Sequence, residues 1–189
     1  MTAGSGRPAV FLDRDGVLTE AFVRAGVPTP PRTMAEFRVL PGVPEACTAL
    51  HQAGFVLVVV TNQPDIARGT QTRAEVDRMH ERLCSLLPLD EVVVCPHDDA
   101  DACHCRKPQP GMLIAAAERL GLDLTRSVSV GDRWRDVEAA RRAGVTAIHV
   151  DRQYDEPAPV GAQVAVADLP EAVAWISRQK WAPEGGQDD

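Results

Sequence analysis

A chain of 189 residues, 44% of them hydrophobic and 25% charged, has the length and composition of one globular domain with a single buried core. Its net charge of −7, with no run of Lys and Arg, argues against nucleic acid as a partner. No stretch reaches the roughly 18–20 apolar residues of a membrane-spanning helix, and the N-terminus lacks the apolar segment of a secretory signal. We therefore expect a cytoplasmic protein that binds no membrane.

Short apolar runs alternate with segments of helical spacing along the chain. The runs predict buried strands at 9–12, 55–60, 92–95, 128–130 and 147–150. Apolar residues three and four apart predict helices at 72–86, 111–120, 134–143 and 169–178. This alternation indicates a Rossmann-like α/β fold, in which a doubly wound parallel sheet carries helices on both faces.

The predicted domain organisation is one domain at 8–181 between two disordered tails. The ends, 1–7 and 182–189, are rich in Gly, Pro and acidic residues, a composition typical of frayed termini. The segments 19–40 and 63–71 are too short to fold by themselves. We therefore expect no separate cap domain and an open rim around the site.

Polar side chains follow three of the predicted strands at the point where each strand ends. Asp13 and Asp15 come directly after the first strand, Thr61 and Asn62 after the second, and Asp132 after the strand at 128–130. Ligands of open parallel sheets bind beyond the carboxyl ends of the strands. We therefore expect these residues to converge on one site.

The residue types at this predicted site suit chemistry on a phosphate ester. Asp13 and Asp15 are two residues apart, so both carboxylates can face one cavity. A carboxylate that approaches an anionic phosphate is repelled by it, so positive charge must shield the approach. Mg²⁺ supplies such charge and takes oxygen ligands, which Asp132 offers with Asp136 in support. A hydroxyl, an amide and an ammonium for the phosphate oxygens are offered by Thr61, Asn62 and Lys107.

A second metal site is predicted by a cluster of sulfur and nitrogen ligands within the loop 95–105. Cys95, His97, Cys103 and Cys105 offer three thiolates and one imidazole, a set that suits tetrahedral Zn²⁺. Four protein ligands close the metal shell, so this zinc-binding loop is predicted to be structural. His104 is expected to point away, and a chance cluster of cysteines is the alternative.

The order of the polar motifs resembles that of the haloacid dehalogenase-like hydrolase superfamily. The motifs are Asp-x-Asp-Gly-Val-Leu at 13–18, Thr-Asn at 61–62, Lys-Pro at 107–108 and Gly-Asp-x-x-x-Asp at 131–136. The resemblance covers about residues 9–150. It implies a phosphatase in which Asp13 attacks phosphorus and forms an aspartyl-phosphate.

The same resemblance implies roles for the other site residues. Asp15 would protonate the leaving alcohol and then activate the water that hydrolyses the intermediate. Mg²⁺ would be held by Asp13, the backbone carbonyl of Asp15 and Asp132, with Thr61 and Lys107 on the phosphoryl group.

The zinc loop followed by Arg106-Lys107-Pro108 is similar to a branch of this superfamily that contains heptose bisphosphate phosphatases and histidinol-phosphate phosphatases. The segment 61–69 favours the heptose enzymes, whereas the five-residue gap between His97 and Cys103 resembles the histidinol-phosphate type. We expect removal of the 7-phosphate of D-glycero-D-manno-heptose 1,7-bisphosphate, in carbohydrate metabolism. Candidate ligands for a second phosphate are Arg106, Arg68 and Arg14.

Other functions remain open at this point. Histidinol phosphate or another small phosphorylated sugar is the alternative substrate. A DNA-end phosphatase is a remote alternative because the chain is acidic, and a non-enzymatic zinc module is another, because it does not require the four motifs together. The protein is expected to act as a monomer on a small molecule.

Overall fold

A six-stranded parallel sheet forms the centre of the protein, which the computed structural model describes over residues 6–24 and 26–179. The strands of the described chain are β1 (Ala9–Leu12), β2 (Phe22–Arg24), β3 (Val27–Thr29), β4 (Val56–Asn62), β5 (Glu91–Cys95), β6 (Val128–Gly131), β7 (Thr146–Val150) and β8 (Val164–Val166). The helices are α1 (Val43–Gln52), α2 (Arg73–Leu86), α3 (Gly111–Leu120), α4 (Trp134–Ala143) and α5 (Leu169–Arg178). The large sheet has the order β5-β4-β1-β6-β7-β8.

Helices cover both faces of this sheet, so the prediction of a Rossmann-like, doubly wound fold is confirmed. One core layer joins the sheet to α1, α2 and α5, and a second joins its other face to α3 and α4. β1 lies between two layers, and none of its four side chains is exposed. A strand that is buried on both faces must be apolar throughout, which is why its sequence does not alternate.

The predicted helices are present, and α1 is an additional one. Thr72 caps α2 by accepting a hydrogen bond from the Glu75 backbone, and Gly121 and Gly144 end α3 and α4 in the left-handed conformation. α1 begins after Gly42, whose φ is 76°, and has Pro in its first turn. Gly and Pro are also typical of loops, so this segment was not predicted as a helix. No helix in the described ranges is long and apolar enough to cross a membrane.

The prediction of a tail at 1–7 extends too far into the chain. Arg7 accepts a hydrogen bond from the Asp123 backbone at 3.0 Å and donates one to the Gly121 carbonyl at 3.2 Å. These contacts are made by the main chain, so the polar composition of the segment gave no sign of them. The predicted tails at 1–5 and 182–189 lie outside the described residues.

The sheet order brings the functional strand ends together. β1 lies between β4 and β6, with Leu12 beside Val59 on one side and Val130 on the other. The segments that follow these three strands therefore leave the sheet side by side. The antiparallel hairpin of β2 and β3 is a small addition to the same edge, formed within the segment predicted to be a rim.

Candidate active site

A cavity of about 280 Å³ lies at the carboxyl edge of β1, β4 and β6. Most of the residues predicted to form the site line it, as do residues 27–30 of the hairpin. Those lining residues are Asp13, Asp15, Thr61, Asn62, Arg68, Arg106, Lys107, Asp132 and Asp136. The convergence of strand ends predicted from the sequence is therefore present in the fold.

Three buried carboxylates form the floor of this cavity. The ligand oxygens of Asp13, Asp132 and Asp136 lie within 4.8 Å of one another. Burial and the nearby carboxylates raise the pKa of Asp13 to about 6, although the Lys107 ammonium acts to lower it. Burial and the charges of Asp13 and Asp136 raise the pKa of Asp132 well above its ordinary value.

The carboxylate trio fits a hard divalent cation. Oδ1 of Asp132 is buried and has no hydrogen-bond partner among the residues described. Carboxylates this close repel one another unless they share a proton or a cation, and Mg²⁺ prefers oxygen donors of this kind. The orphaned oxygen and the all-oxygen donor set therefore agree with a magnesium site.

Lys107 places a buried positive charge beside the trio. Its ammonium donates to Asp13 Oδ1 and to the Val60 carbonyl, both at 2.8 Å, and pairs with Asp136. Burial alone would lower the pKa of Lys107, but the Asp13 and Asp136 carboxylates raise it, so the side chain remains charged. A buried ammonium that is held in place by these partners suits binding of a phosphoryl group.

Asn62 has a different role from the predicted contact with phosphate. Its Oδ1 accepts from the Lys107 backbone N–H at 3.1 Å, and its Nδ2 donates to the Lys107 carbonyl at 3.0 Å. These bonds fix the main chain of Lys107, so Asn62 acts on the ammonium indirectly. The Thr61 hydroxyl is buried and accepts a hydrogen bond from Gln63.

The prediction that Arg14 binds phosphate is wrong. Arg14 is completely buried and does not line the cavity, because its guanidinium turns away from the substrate side and binds Asp15 and His80. Alternation of side chains after the strand sends Asp13 and Asp15 to one side and Arg14 to the other.

The four predicted zinc ligands lie together beside the cavity. Cys105 Sγ is 3.1 Å from Cys95 Sγ, 3.4 Å from Cys103 Sγ and 3.3 Å from His97 Nδ1. Ligands about 2.0–2.3 Å from a tetrahedral Zn²⁺ are separated by roughly 3.3–3.8 Å, which is close to these distances. His104 is not in the cluster. The sulfur and nitrogen donor set fits zinc.

An acidic turn in the zinc loop holds arginines at the cavity mouth. Arg68 pairs with Asp98 at 2.6 Å, and Arg106 pairs with Asp99 at 2.7 Å. Arg135 pairs with the same oxygen of Asp99 at 3.1 Å. The sequence-based reading missed Asp98, Asp99 and Arg135, because their only signal was opposite charge on segments far apart in the chain.

Tyr154 was also missed, and no contact was predicted for Gln63, which directly follows β4. The Tyr154 hydroxyl hydrogen-bonds Asp132 and lines a neighbouring cavity of about 330 Å³. Gln63 donates to Asp15 at 2.8 Å and to Thr61 at 2.9 Å. Gln63 directly follows the Thr-Asn motif, at a strand end that the sequence predicts to join the site.

Gly16 is required by the close approach of its backbone to Asp132. It has a φ of +89°, and a Cβ there would lie 1.9 Å from Asp132 Oδ2. We expect Gly16→Ala to weaken Mg²⁺ binding about 10- to 100-fold, because Asp132 must move to make room. A calorimetric titration with Mg²⁺ measures this loss.

Gly54→Ala is the matched control for that substitution. Gly54 has a φ of +86° and nothing within 4 Å of an added Cβ. Both variants should lose about 1–2 kcal/mol of unfolding free energy, because alanine is strained in the left-handed region. Equal Mg²⁺ affinity in the two variants would contradict the contact with Asp132.

Comparison with known proteins identifies the family. The family model of haloacid dehalogenase-like hydrolases matches residues 31–144. The chain belongs to the haloacid dehalogenase-like hydrolases. Within this hydrolase family, the D-glycero-beta-D-manno-heptose-1,7-bisphosphate 7-phosphatase of Escherichia coli (strain K12) is 35% identical over 186 residues, which cover 88% of this chain and 93% of that protein. The enzyme of that name from Rhodopseudomonas palustris is 38% identical over 158 residues, 77% of this chain and 84% of the relative.

Solved structures agree with the hydrolase fold. The crystal structure of D,D-heptose 1,7-bisphosphate phosphatase from B. bronchiseptica, complexed with magnesium and phosphate, has a TM-score of 0.77 and 32% identity. It covers 90% of this chain and 98% of its own. A putative haloacid dehalogenase-like phosphatase from Mesorhizobium loti has a TM-score of 0.75 and also 32% identity, with 95% and 90% of the two chains covered. A structural relative thus binds magnesium and phosphate.

Proposed function

We propose that this hydrolase is a magnesium-dependent phosphomonoesterase that forms an aspartyl-phosphate on Asp13. The observation that carries the proposal is the buried trio of carboxylates with the Lys107 ammonium 2.8 Å from Asp13. Asp13, the backbone carbonyl of Asp15 and Asp132 would hold Mg²⁺, with Asp136 in support. The ion would supply positive charge that offsets repulsion between the substrate phosphate and Asp13.

The side chains divide the reaction between them. The Thr61 hydroxyl and the Lys107 ammonium bind the phosphoryl oxygens. A carboxylate oxygen of Asp13 forms a bond to phosphorus while the ester P–O bond breaks, and the alcohol oxygen that keeps the electron pair takes a proton from Asp15. Asp15 then accepts a proton from water as the water oxygen bonds phosphorus and the Asp13–phosphorus bond breaks. Phosphate leaves, and both side chains return to their starting states.

We infer that the substrate is D-glycero-D-manno-heptose 1,7-bisphosphate and that the 7-phosphate is removed. Relatives of that activity at 35% and 38% identity support this substrate. The open cavity with Arg68 and Arg106 at its mouth also suits a small sugar that carries a second phosphate. The protein is proposed to act as a monomer, without nucleic acid.

Histidinol phosphate is the second candidate substrate. The five residues between His97 and Cys103 make a short zinc loop, and the acidic pair within it ties up the arginines that a second phosphate would need. A substrate with one phosphate makes no demand on those arginines. The zinc itself is proposed to be structural, held by Cys95, His97, Cys103 and Cys105.

A panel of phosphate esters compared by kcat/KM tests the proposal. The panel contains both anomers of the heptose bisphosphate, the heptose monophosphate, histidinol phosphate, p-nitrophenyl phosphate and a 3′-phosphorylated oligonucleotide. We expect hydrolysis that requires Mg²⁺, with one bisphosphate anomer preferred over histidinol phosphate by at least about 100-fold. A preference for histidinol phosphate would overturn the substrate, and no Mg²⁺-dependent hydrolysis of any ester would overturn the phosphatase.

A further inference from the structure

Arg14 is a buried, charged residue that has no role in the proposed reaction. It is the largest side chain in the described ranges that is fully buried, with no exposed surface. Burying a guanidinium is unfavourable unless charged and polar partners surround it. The partners that the structure gives Arg14 therefore indicate what the residue does.

The first partner is Asp15, which Arg14 holds through two parallel hydrogen bonds. Nε donates to Oδ1 and Nη2 donates to Oδ2, both at 2.9 Å. A two-pronged pair of this kind fixes the plane of a carboxylate as well as its position. Gln63 donates to Oδ2 at 2.8 Å. The Thr19 hydroxyl lies 3.1 Å from Oδ1 and 3.2 Å from the Arg14 carbonyl, so it can donate to that carbonyl and leave Oδ1 a position for a proton.

The second partner is His80, on the buried face of α2. The remaining arm of Arg14 donates to His80 Nε2 through Nη1 at 2.9 Å. Burial, together with the Arg14 charge, lowers the pKa of His80 to about 4. The ring is therefore neutral at pH 7, and its Nε2 is free to accept. His80 thus anchors the end of Arg14 that does not touch Asp15.

We propose that Arg14, anchored by His80, is a positioning residue that sets the orientation of Asp15 toward the oxygen of the leaving alcohol. The proposal rests on the proposed function, in which a proton passes from Asp15 to that oxygen as the P–O bond breaks. An alkyl alcohol leaves poorly without this proton, whereas a nitrophenolate leaves well without it. Misorientation of Asp15 should therefore slow alkyl esters selectively.

Arg14→Met tests the inference through the choice of ester. The two substrates are D-glycero-D-manno-heptose 1,7-bisphosphate, an alkyl ester at position 7, and p-nitrophenyl phosphate, an aryl ester. We expect kcat for the sugar to fall about 100-fold and kcat for the aryl ester to fall less than about 5-fold, with KM little changed. Arg82→Met, on the exposed face of α2, controls for loss of an arginine.

Two substitutions of His80 test the positioning role while Arg14 itself is kept. They provide the test even if Arg14→Met does not fold. His80→Leu removes the acceptor of the Arg14 hydrogen bond, and His80→Gln keeps one. We expect His80→Leu to lower kcat for the sugar about 10-fold with a smaller effect on the aryl ester, and His80→Gln to restore most of the loss.

The outcomes separate this inference from the proposed function. Equal losses for both esters, no loss for either, or no difference between His80→Leu and His80→Gln would overturn the positioning role. Wild-type protein that cleaves neither ester would instead overturn the phosphatase. Selective loss for the sugar in Arg14→Met or His80→Leu, with rescue by His80→Gln, supports the inference.

Discussion

Asp13→Asn is expected to lower kcat by at least about 10⁴-fold while the fold stays intact. The amide is a poor nucleophile, and it removes one carboxylate from the proposed Mg²⁺ site. Steady-state kinetics with the preferred sugar phosphate measures the loss, and circular dichroism checks the fold. Asp77→Asn, on the solvent side of α2, is the control and should keep wild-type kcat.

The same substitution should stabilise the metal-free protein above pH 6. Burial raises the pKa of Asp13 to about 6, so the folded state keeps a proton that the unfolded chain loses near pH 4. Stability of the metal-free protein therefore falls as pH rises from about 4 to about 6, by roughly 2–3 kcal/mol. Asn at position 13 carries no charge, so that fall disappears, while Lys107 keeps Asp136 as a partner.

Urea unfolding in EDTA at pH 4 and pH 8 measures this effect. The variant should be about 2–3 kcal/mol more stable than wild type at pH 8, with a smaller difference at pH 4. Substantial phosphatase activity in pure Asp13→Asn protein would contradict the nucleophile. A variant less stable than wild type at pH 8 would contradict the electrostatic account of the carboxylate trio.

Cys105→Ser is expected to abolish zinc binding and to lower the melting temperature by about 10 °C. Cys105 lies closest to the other three proposed ligands, and the Gln63 backbone N–H donates to the Cys95 carbonyl at 2.8 Å at the start of the loop. Elemental analysis should find about one zinc per wild-type chain and almost none in the variant. We also expect kcat to fall, because Cys105 lies two residues before Lys107.

Cys84→Ser is the matched control, since Cys84 is exposed and lies outside the cluster. It should keep its zinc, its melting temperature and its activity. Wild-type protein that contains no zinc after purification with zinc in the growth medium, or Cys105→Ser protein with unchanged stability, would argue against a structural zinc site.

The parts of this protein that the sequence predicted well are those with local signals. The continuous apolar runs of β1 and β4 marked buried strands, and the polar residues after them marked the cavity. Thr72, Gly121 and Gly144 marked helix ends because capping depends on nearby backbone groups. Arg14 was placed wrongly, because its direction depends on how the chain turns after β1.

The parts that were missed depend on contacts between distant segments. Asp99 meets Arg135 across 36 positions, and Arg14 meets His80 across 66 positions. Tyr154 reaches Asp132 from a loop beyond β7. Opposite charges and paired polar groups are common in any chain, so no local pattern favours these pairs over others.

In the zinc loop, the residues that can affect substrate preference are separate from Lys107, which takes part in the proposed chemistry. The proposed zinc ligands lie at both ends of the loop, with Cys95 and His97 on one side and Cys103 and Cys105 on the other. The turn between them, at 98–102, holds the arginines at the cavity mouth through Asp98 and Asp99. Substitutions or length changes in this turn can therefore alter the charge that meets a substrate while Lys107 stays in place. Substrate preference can evolve there without loss of the chemistry.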